Sequence, residues 1–355
     1  MISGLCSGLS SAGNHVTLMT GECDENEIDY LEINGVDPNV QIVRIPGLGR
    51  SVSLLTDLTS FYKIRKTMKK LEPDIVHTHT SKAGLLGRLA SLSLLRGQRR
   101  VHTYHGHLLY GYFSNHITTL IVFLESLLSK VTHCLISVGE QVRKDLLARN
   151  VGTDSRFEVI APGIQLSVSK FESKQIPHNA FTIAWVGRLV EIKRPERIIE
   201  IARALRRRNL DFTIRVIGGG PLFDVLQIAK IREKLPVVLE GWRHDAIDYM
   251  KASDVIILTS DNEGTPITLI EAQLLGKPVI ATNVGSVAET FLDSKSGFLV
   301  QYDAEVFADR IELLAKNRDL YESFAQSAAD FASKQFSIQQ STAKHLALYA
   351  KLLKN

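Results

Sequence analysis

The hydrophobic and polar positions alternate between two patterns along the whole chain. Short apolar runs rich in β-branched residues, typical of strands, are each followed by a longer segment with helical spacing. In the first half the predicted strands cover residues 15–20, 74–78, 100–104, 132–138 and 157–160. In the second half they cover residues 181–187, 212–217, 237–240, 255–259, 278–282 and 297–300. This βαβ alternation predicts an α/β protein built on buried parallel sheets.

Two such α/β units are separated by the polar segment 165–179, which has no clear period. We therefore predict one Rossmann-like, doubly wound domain over residues 1–164 and a second over 165–335. Residues 336–355 form a predicted terminal helix, which we expect to pack back on the first domain. Residues 1–13 read as a helix leading into the first strand, so we expect the strand and Gly-rich turn that open a doubly wound domain to be missing.

Composition narrows the functional classes. The 355 residues are 45% hydrophobic and 23% charged, as in soluble globular proteins. The net charge of +4 is too small to indicate a nucleic-acid partner. Cys6, Cys23 and Cys134 lack the spacing of a disulfide framework or a thiolate metal site. Because we find neither a secretory signal nor a membrane-spanning run, we expect a cytoplasmic protein.

The most informative motif follows the predicted strand 255–259. It contains Glu263, Gly264, Thr265 as the predicted N-cap, Pro266 at the first helical position, and Glu271 inside the helix. A helix N-terminus binds phosphate through its free N–H groups and its dipole. The two carboxylates could then reach one ligand at different depths. A capped helix with an ordinary acidic first turn remains the alternative interpretation.

Two other strand ends carry candidate binding groups. Arg188 and Lys193 follow the strand 181–187 and are suited to a diphosphate, although solvated surface cations would look the same. The Gly-Gly-Gly-Pro turn at 218–221 either lets a backbone approach a ligand or simply makes a tight turn.

Histidines concentrate in the first half of the chain. His77 and His79 share one face at a strand end, and His102, His105 and His107 cluster at the end of the next strand. Histidine is a common metal ligand, but no acidic or thiolate partner stands at a characteristic spacing. We therefore prefer the lining of a cleft to a metal site.

Residues 61–71 predict a basic amphipathic helix. Its basic side chains are Lys63, Arg65, Lys66, Lys69 and Lys70, and its apolar side chains are Phe61, Ile64, Met68 and Leu71. Such a helix rests on anionic lipid in some proteins. In others it packs on a core and leaves a solvated basic face, and both interpretations stay open.

Taken together, these motifs resemble the retaining glycosyltransferases of family 4. The strongest match is the family's E-x7-E element, here Glu263 to Glu271, followed by the 276–282 run and Gly285. Supporting matches are the Gly-Arg-Leu string at 187–189 with Lys193, the 218–221 turn, the Glu-Gly-Trp string at 240–242 and the histidine-rich string at 102–107. The strings at 77–84 and 111–114 resemble bacterial members that build cell-surface polysaccharides.

The resemblance implies a GT-B fold, in which two Rossmann-like domains face a cleft. The second domain would hold a nucleotide sugar and the first would present the acceptor. Two residues are implied to act at the transferred sugar: His105 and Glu263. Seven are implied to bind the nucleotide or its diphosphate: Arg188, Lys193, Gly264, Thr265, Glu271, Gly219 and Trp242. Glu271 would bind the ribose hydroxyls.

The implied reaction moves a sugar from a nucleotide sugar, expected to be a UDP-sugar, to a lipid-linked or glycan acceptor with retention of configuration. It would serve bacterial surface polysaccharide synthesis, in capsule or lipopolysaccharide, from the cytoplasm or peripherally on the inner membrane face. The resemblance implies a metal-independent class that needs no other cofactor, and the absence of an Asp-x-Asp motif is consistent with this. The alternatives are a sugar-nucleotide 2-epimerase of the same fold, a truncated inactive homologue that binds nucleotide sugar, and a two-lobed solute-binding protein, which the missing signal disfavours.

Overall fold

The computed structural model describes residues 1–22, 31, 35–49, 53–106, 115–166 and 180–354. It divides into two compact units, Met1–Gln165 with Ser337–Asn355, and Leu166–Phe336. All strand pairs among the described residues are parallel. Cys23, His107 and the 111–114 string lie outside the described residues.

Over its described residues, the first unit is an α/β layer structure with two parallel sheets. Its elements in chain order are α1 (Ile2–Ser11), β1 (Thr17–Thr20), β2 (Gln41–Arg44), α2 (Leu54–Leu71), β3 (Ile75–His79), α3 (Ser81–Ser93), β4 (Arg99–Tyr104), α4 (Asn115–Lys130), β5 (Cys134–Ser137), α5 (Glu140–Ala148) and β6 (Phe157–Val159). Strands β1 and β2 form one sheet, and β3-β4-β5-β6 form the other. The sequence pattern did not predict β2, because its four residues are at most partly buried and begin and end on polar side chains.

The second unit has one six-stranded sheet in the order β12-β11-β10-β7-β8-β9. Its elements are β7 (Phe181–Val186), α6 (Arg197–Arg206), β8 (Phe212–Ile217), α7 (Phe223–Glu233), β9 (Val237–Gly241), α8 (Ala246–Lys251), β10 (Val255–Leu258), α9 (Ile267–Leu274), β11 (Val279–Thr282), β12 (Gly297–Val300), α10 (Ala304–Lys316) and α11 (Arg318–Gln335). Every residue of β10 and β11 is buried. Burial on both faces explains why these strands are continuous apolar runs.

The last helix, α12 (Ile338–Lys354), packs within the first unit. Leu348 joins Val101 and Ile136 of the first unit in one buried cluster. Helix α12 also lies close to α1, since a Cβ added at Gly8 would stand 2.4 Å from the Thr342 hydroxyl. The first unit is therefore completed by a chain segment that follows the second unit.

A buried ion pair ties the helices of the first unit to its sheet. Arg88 of α3 is fully buried, and its Nη2 lies 2.8 Å from both carboxylate oxygens of Glu125 in α4. The Tyr104 hydroxyl donates to the same carboxylate at 2.8 Å, and Arg88 Nε donates to the Gly84 carbonyl at 2.9 Å. A buried charge without a partner is costly, so this arrangement fixes α3, α4 and β4 together.

Helix α2 presents the predicted apolar face to the core. Ile64 and Met68 are buried in one cluster with Leu86 and Ala90, and Phe61 packs against that cluster. The prediction that the apolar face of this amphipathic helix packs on a core is thus confirmed. None of the helices in the described ranges combines the length and the apolar character needed to cross a bilayer.

Candidate functional site

The candidate site of the second unit lies where its sheet changes direction. The chain runs from β7 to β8 and β9 on one side, and β10 to β12 lie on the other. At such a switch point the loops after neighbouring strands diverge and leave a crevice at their carboxyl ends, which is where parallel α/β sheets bind ligands. The candidates at 187–193, 218–221 and 259–271 all follow the three strands that meet here. The fold therefore gathers them at one edge.

Glycines let two of these loops touch. Gly218 has φ +137°, and a Cβ there would stand 1.9 Å from the Gly187 carbonyl oxygen. A Cβ at Gly219 would stand 2.5 Å from Nε1 of Trp242, whose side chain is largely exposed. The Leu189 N–H donates to the Gly219 carbonyl at 3.0 Å. The glycine turn is thus a close backbone approach, with the exposed indole beside it.

Lys193 and Glu263 form an ion pair at the centre of the crevice edge. Lys193 Nζ lies 2.5 Å from Glu263 Oε1, and the Ser260 hydroxyl donates to the same oxygen at 2.6 Å. Glu263 is only 7% exposed. Gly285 (φ +50°) lies so close that a Cβ would meet the Glu263 carbonyl at 1.8 Å. The resemblance implied that Lys193 binds the diphosphate and that Glu263 acts at the transferred sugar. The structure places these two side chains in contact.

The backbone around this pair is held by residues that the sequence analysis missed. The Thr259 hydroxyl donates to the Lys193 carbonyl at 3.1 Å and accepts a hydrogen bond from Trp185 Nε1 at 2.9 Å. Arg197 donates to the Thr259 carbonyl at 2.7 Å and pairs with Asp261 at 2.6 Å. The sequence signal that could have identified Thr259 is its position directly after a buried strand, where a Ser or Thr hydroxyl can bond to neighbouring loops.

The glutamate motif spans a loop and the helix that follows it, as predicted, but the helix starts later than expected. Helix α9 begins at Ile267, not at Pro266, because Pro266 has an extended ψ of 106° and serves as the N-cap in place of Thr265. Gly264 and Thr265 lie in the loop before it. Glu271 stands one turn inside the helix, partly buried, and its carboxylate has no hydrogen bond or ion pair within the described residues. Burial raises the pKa of Glu271 to about 7.

Arg188 is the exposed cation of the crevice edge. Its side chain forms no ion pair in the part of the chain that the structure describes, whereas Lys193 is committed to Glu263. An anionic ligand at this edge would therefore meet one free guanidinium and one ammonium that is already neutralised.

In the first unit, the strand-end histidines form a cluster that includes α12. His79 Nδ1 lies 2.8 Å from His105 Nε2, and their rings stack at 5.0 Å. His77 Nδ1 lies 2.5 Å from the Tyr349 hydroxyl, and the His345 ring is 5.7 Å from that of His77. His345 and Tyr349 come from the terminal helix and were not predicted. His345 lines, with His79 and His105, a small and mostly apolar pocket.

His102 was wrongly grouped with His105. In the register of β3 and β4, His102 pairs with Thr78, and its Nδ1 lies 2.8 Å from the Thr78 hydroxyl. Paired residues of neighbouring strands share a face, so His102 points away from His79 and His105. Burial, and next the charge of the neighbouring Arg88, lower the pKa of His102 well below 6.5.

The cluster is neutral near pH 7. Burial lowers the pKa of His77 and His79 well below 6.5 and that of His105 to about 4. His105 Nδ1 is buried without a hydrogen-bond partner among the described residues. Within the same residues, no group of three or more His, Cys, Asp or Glu side chains is placed to hold a metal ion. The histidines can therefore donate or accept hydrogen bonds without carrying charge.

Comparison with known proteins identifies the family. The model described as Glycosyltransferase Family 4 matches residues 1–168, and that described as Glycosyl transferases group 1 matches residues 168–331. A relative from Escherichia coli, named UDP-Gal:alpha-D-GlcNAc-diphosphoundecaprenol alpha-1,3-galactosyltransferase, is 31% identical over 77% of this chain and 73% of its own. The chain belongs to glycosyltransferase family 4. This glycosyltransferase is also similar to the capsular polysaccharide biosynthesis glycosyltransferase CapM of Staphylococcus aureus, with 25% identity over 84% of this chain and 82% of CapM.

A solved structure supports the same fold. HepE from Anabaena, in complex with UDP and glucose, superposes with a TM-score of 0.78 at 21% identity, covering 98% of this chain and 95% of HepE. The predicted GT-B fold of two Rossmann-like domains is confirmed, and so is the expectation of a glycosyltransferase.

Proposed function

We propose that this glycosyltransferase takes a sugar from a UDP-sugar and transfers it, with retention of configuration, to a lipid-linked acceptor in bacterial surface polysaccharide synthesis. The donor part of this proposal rests on the switch-point crevice of the second unit, which holds Arg188, Lys193 and the partly buried carboxylate of Glu271. The acceptor part is supported by the name of the E. coli relative, which acts on a diphosphoundecaprenol-linked sugar. HepE was crystallised with UDP, which supports the choice of nucleotide.

Each donor group would meet a part of UDP-sugar that suits its chemistry. The diphosphate would lie at Arg188, Lys193 and the N–H groups that open α9, together with the Gly264 and Thr265 backbone. The ribose hydroxyls would donate to Glu271, whose carboxylate lacks other donors among the described residues. Gly219 and Trp242 would line the nucleotide side, where the backbone approaches closely.

In the transfer step, the anomeric C–O bond of the donor breaks and its electron pair moves to the phosphate oxygen. The acceptor hydroxyl oxygen bonds to the anomeric carbon from the same face, and its proton passes to the departing diphosphate. Negative charge thus develops on the diphosphate, where fixed cations and a helix N-terminus stabilise it most. Glu263 would accept hydrogen bonds from the hydroxyls of the transferred sugar.

Glu271 provides the test of donor binding. The Glu271→Gln variant is expected to bind UDP about 10- to 100-fold more weakly and to lose the preference for UDP over 2′-deoxy-UDP, since the amide accepts ribose hydroxyls less strongly than a carboxylate does. In the native protein, UDP affinity should rise with pH up to about 7, the pKa of Glu271, because only the ionised carboxylate accepts both donors. Isothermal titration calorimetry in buffers of different ionisation enthalpy measures the affinity and the proton released.

The Glu271→Gln variant should be more stable than the native protein at pH 8, although it binds UDP more weakly. The pKa of Glu271 is about 7 in the folded protein, against an ordinary value of 4.5 in the unfolded chain. Ionising the carboxylate at pH 8 therefore lowers the free energy of unfolding by about 1–3 kcal/mol, and glutamine does not carry this cost. Glu191→Gln, which removes an exposed carboxylate, is the charge-matched control. If Glu271→Gln lowered the melting temperature at pH 8 and left UDP affinity unchanged, Glu271 would be a structural residue and the donor site would lie elsewhere.

A UDP-sugar that is hydrolysed and epimerised without any acceptor would favour the epimerase.

A further inference from the structure

Helix α7 of the second unit has an apolar stripe on the side that faces solvent. Its inner side belongs to the core, where Leu226 is buried and Phe223 packs against the same cluster. We call its exposed residues the outer face of α7: Asp224, Val225, Ile228, Ile231 and Arg232. The three apolar side chains are 56%, 65% and 62% exposed, so folding leaves more than half of each in solvent.

The spacing of these residues places them on one side of the helix. With about 3.6 residues per turn, positions three, four, seven and eight apart lie on the same face. Ile228 is four positions after Asp224 and four before Arg232, and it is three positions from both Val225 and Ile231. The outer face of α7 is therefore a continuous apolar stripe with an acid at its start and a base at its end.

This arrangement is complementary to itself. Ile228 is the midpoint between Val225 and Ile231, and also the midpoint between Asp224 and Arg232. A two-fold axis at Ile228 would place a second α7 antiparallel to the first, with apolar side chains opposite apolar ones and each acid opposite a base. Self-complementarity about a two-fold axis is what an interface between two identical chains requires.

Both charges of this face are available for such a contact. Asp224 forms no ion pair within the residues that the structure describes. Arg232 lies 3.1 Å from Glu233, but Arg203 already holds that carboxylate through two hydrogen bonds of 2.6 Å. The Arg232 side chain is 71% exposed. The folded chain therefore does not depend on either charge for its own ion pairs.

We propose that the outer face of α7 pairs with the same face of a second copy of this chain, antiparallel about a two-fold axis at Ile228. Asp224 of each copy then meets Arg232 of the other. An anionic membrane is a poor occupant, because one acid and one base leave the face without net charge. One helix pair is a small contact, so the dissociation constant should be about 10–100 μM. Pairing needs neither donor nor acceptor and is independent of the proposed reaction.

Sedimentation velocity of the full chain tests this interface. The sedimentation coefficient should rise with concentration between about 1 and 200 μM. Asp224→Arg and Arg232→Asp each place like charges together at both ends of the helix pair, so each should weaken self-association about 10-fold or more. An equal mixture of the two variants should associate as the unaltered protein does, because every base in the mixed pair again faces an acid.

The mixture separates association from folding. Each variant loses a charge that suits its end of α7, which lowers the melting temperature slightly, and mixing does not repair that loss. A purely structural effect would therefore persist in the mixture. Asp319→Arg is the matched control, because it makes the same change at an exposed position in the first turn of α11 and should leave self-association intact.

Three results would overturn the proposal. The unaltered protein could stay monomeric over the whole concentration range, which would leave the outer face of α7 to a different partner. Both single variants could associate as well as the unaltered protein, which would place the interface elsewhere on the chain. The mixture could associate no better than its two components, which would exclude the antiparallel pairing of Asp224 with Arg232.

Discussion

Lowering the pH from 7 to 5 is expected to unfold the first unit before the second. Five histidines of the first unit have their pKa lowered, chiefly by loss of solvation. Two of them, His102 and His345, are buried, and three are partly buried: His77, His79 and His105. The folded unit therefore keeps them neutral, whereas the unfolded chain protonates them below about 6.5. Stability is complete above pH 6.5 and is lost as pH falls towards the folded pKa values, by about 1.4 kcal/mol per pH unit for each histidine. Several kcal/mol is a large part of the 5–15 kcal/mol that stabilises a typical domain.

The two tryptophans make this order of unfolding measurable. Trp185 and Trp242 both lie in the second unit, so their fluorescence reports that unit, while far-ultraviolet circular dichroism reports both. Helicity should fall at a higher pH than the tryptophan signal changes. In the His77→Asn variant, about one proton fewer should be taken up on unfolding, so the stability should fall less steeply as pH is lowered. His244→Gln, at an exposed position of the second unit, should leave this dependence of stability on pH unchanged. A melting temperature that stayed constant between pH 7 and pH 5 would contradict the neutral cluster.

The Glu263→Gln variant is expected to bind UDP more tightly and to turn over far more slowly. Glu263 Oε1 holds Lys193 Nζ at 2.5 Å, so removing the carboxylate charge frees the full lysine charge for the diphosphate. We expect UDP affinity to rise about 5- to 10-fold. Turnover should fall about 100- to 1,000-fold, because the carboxylate would no longer hydrogen-bond the sugar as charge develops. Calorimetry with UDP and a coupled assay of UDP release measure the two quantities.

Lys193→Met is the opposing control. It removes the cation and leaves the buried Glu263 carboxylate facing the diphosphate, with Ser260 as its one remaining side-chain donor among the described residues, so UDP affinity should fall sharply. Adding Glu263→Gln to that variant should restore part of the affinity, because it removes the unpaired anion. A Glu263→Gln variant that lost UDP affinity and turnover in parallel would mean that Glu263 only shapes its loop.

Much of the fold was predictable because buried parallel strands are short apolar runs. Strands β10 and β11 are buried at every residue and were recognised, while β2, partly exposed and polar at both ends, was not. The start of α9 was placed one residue early, since the extended backbone of Pro266 is set by the loop and not by residue preference.

The candidate site was predictable only as far as single motifs allow. The glutamates and cations of the second unit were found because they follow strands that end at one edge. The Lys193–Glu263 contact, the Thr259 hydrogen bonds and the approach of Gly285 depend on distances between separate loops, which sequence spacing does not encode. His102 was misplaced because successive residues of a strand point to opposite faces, and its pairing with Thr78 puts His102 on the face away from His79.

The return of α12 to the first unit has a consequence for how the molecule folds. His77 and Tyr349, in contact through a 2.5 Å hydrogen bond, are 272 positions apart in the chain. The second unit, by contrast, is one continuous segment and can form its core from local pieces. During synthesis on a ribosome, the second unit would complete its fold before the first, although it is made later. The first unit would keep part of its core exposed until α12 has been made, so the order of folding would be the reverse of the order of synthesis.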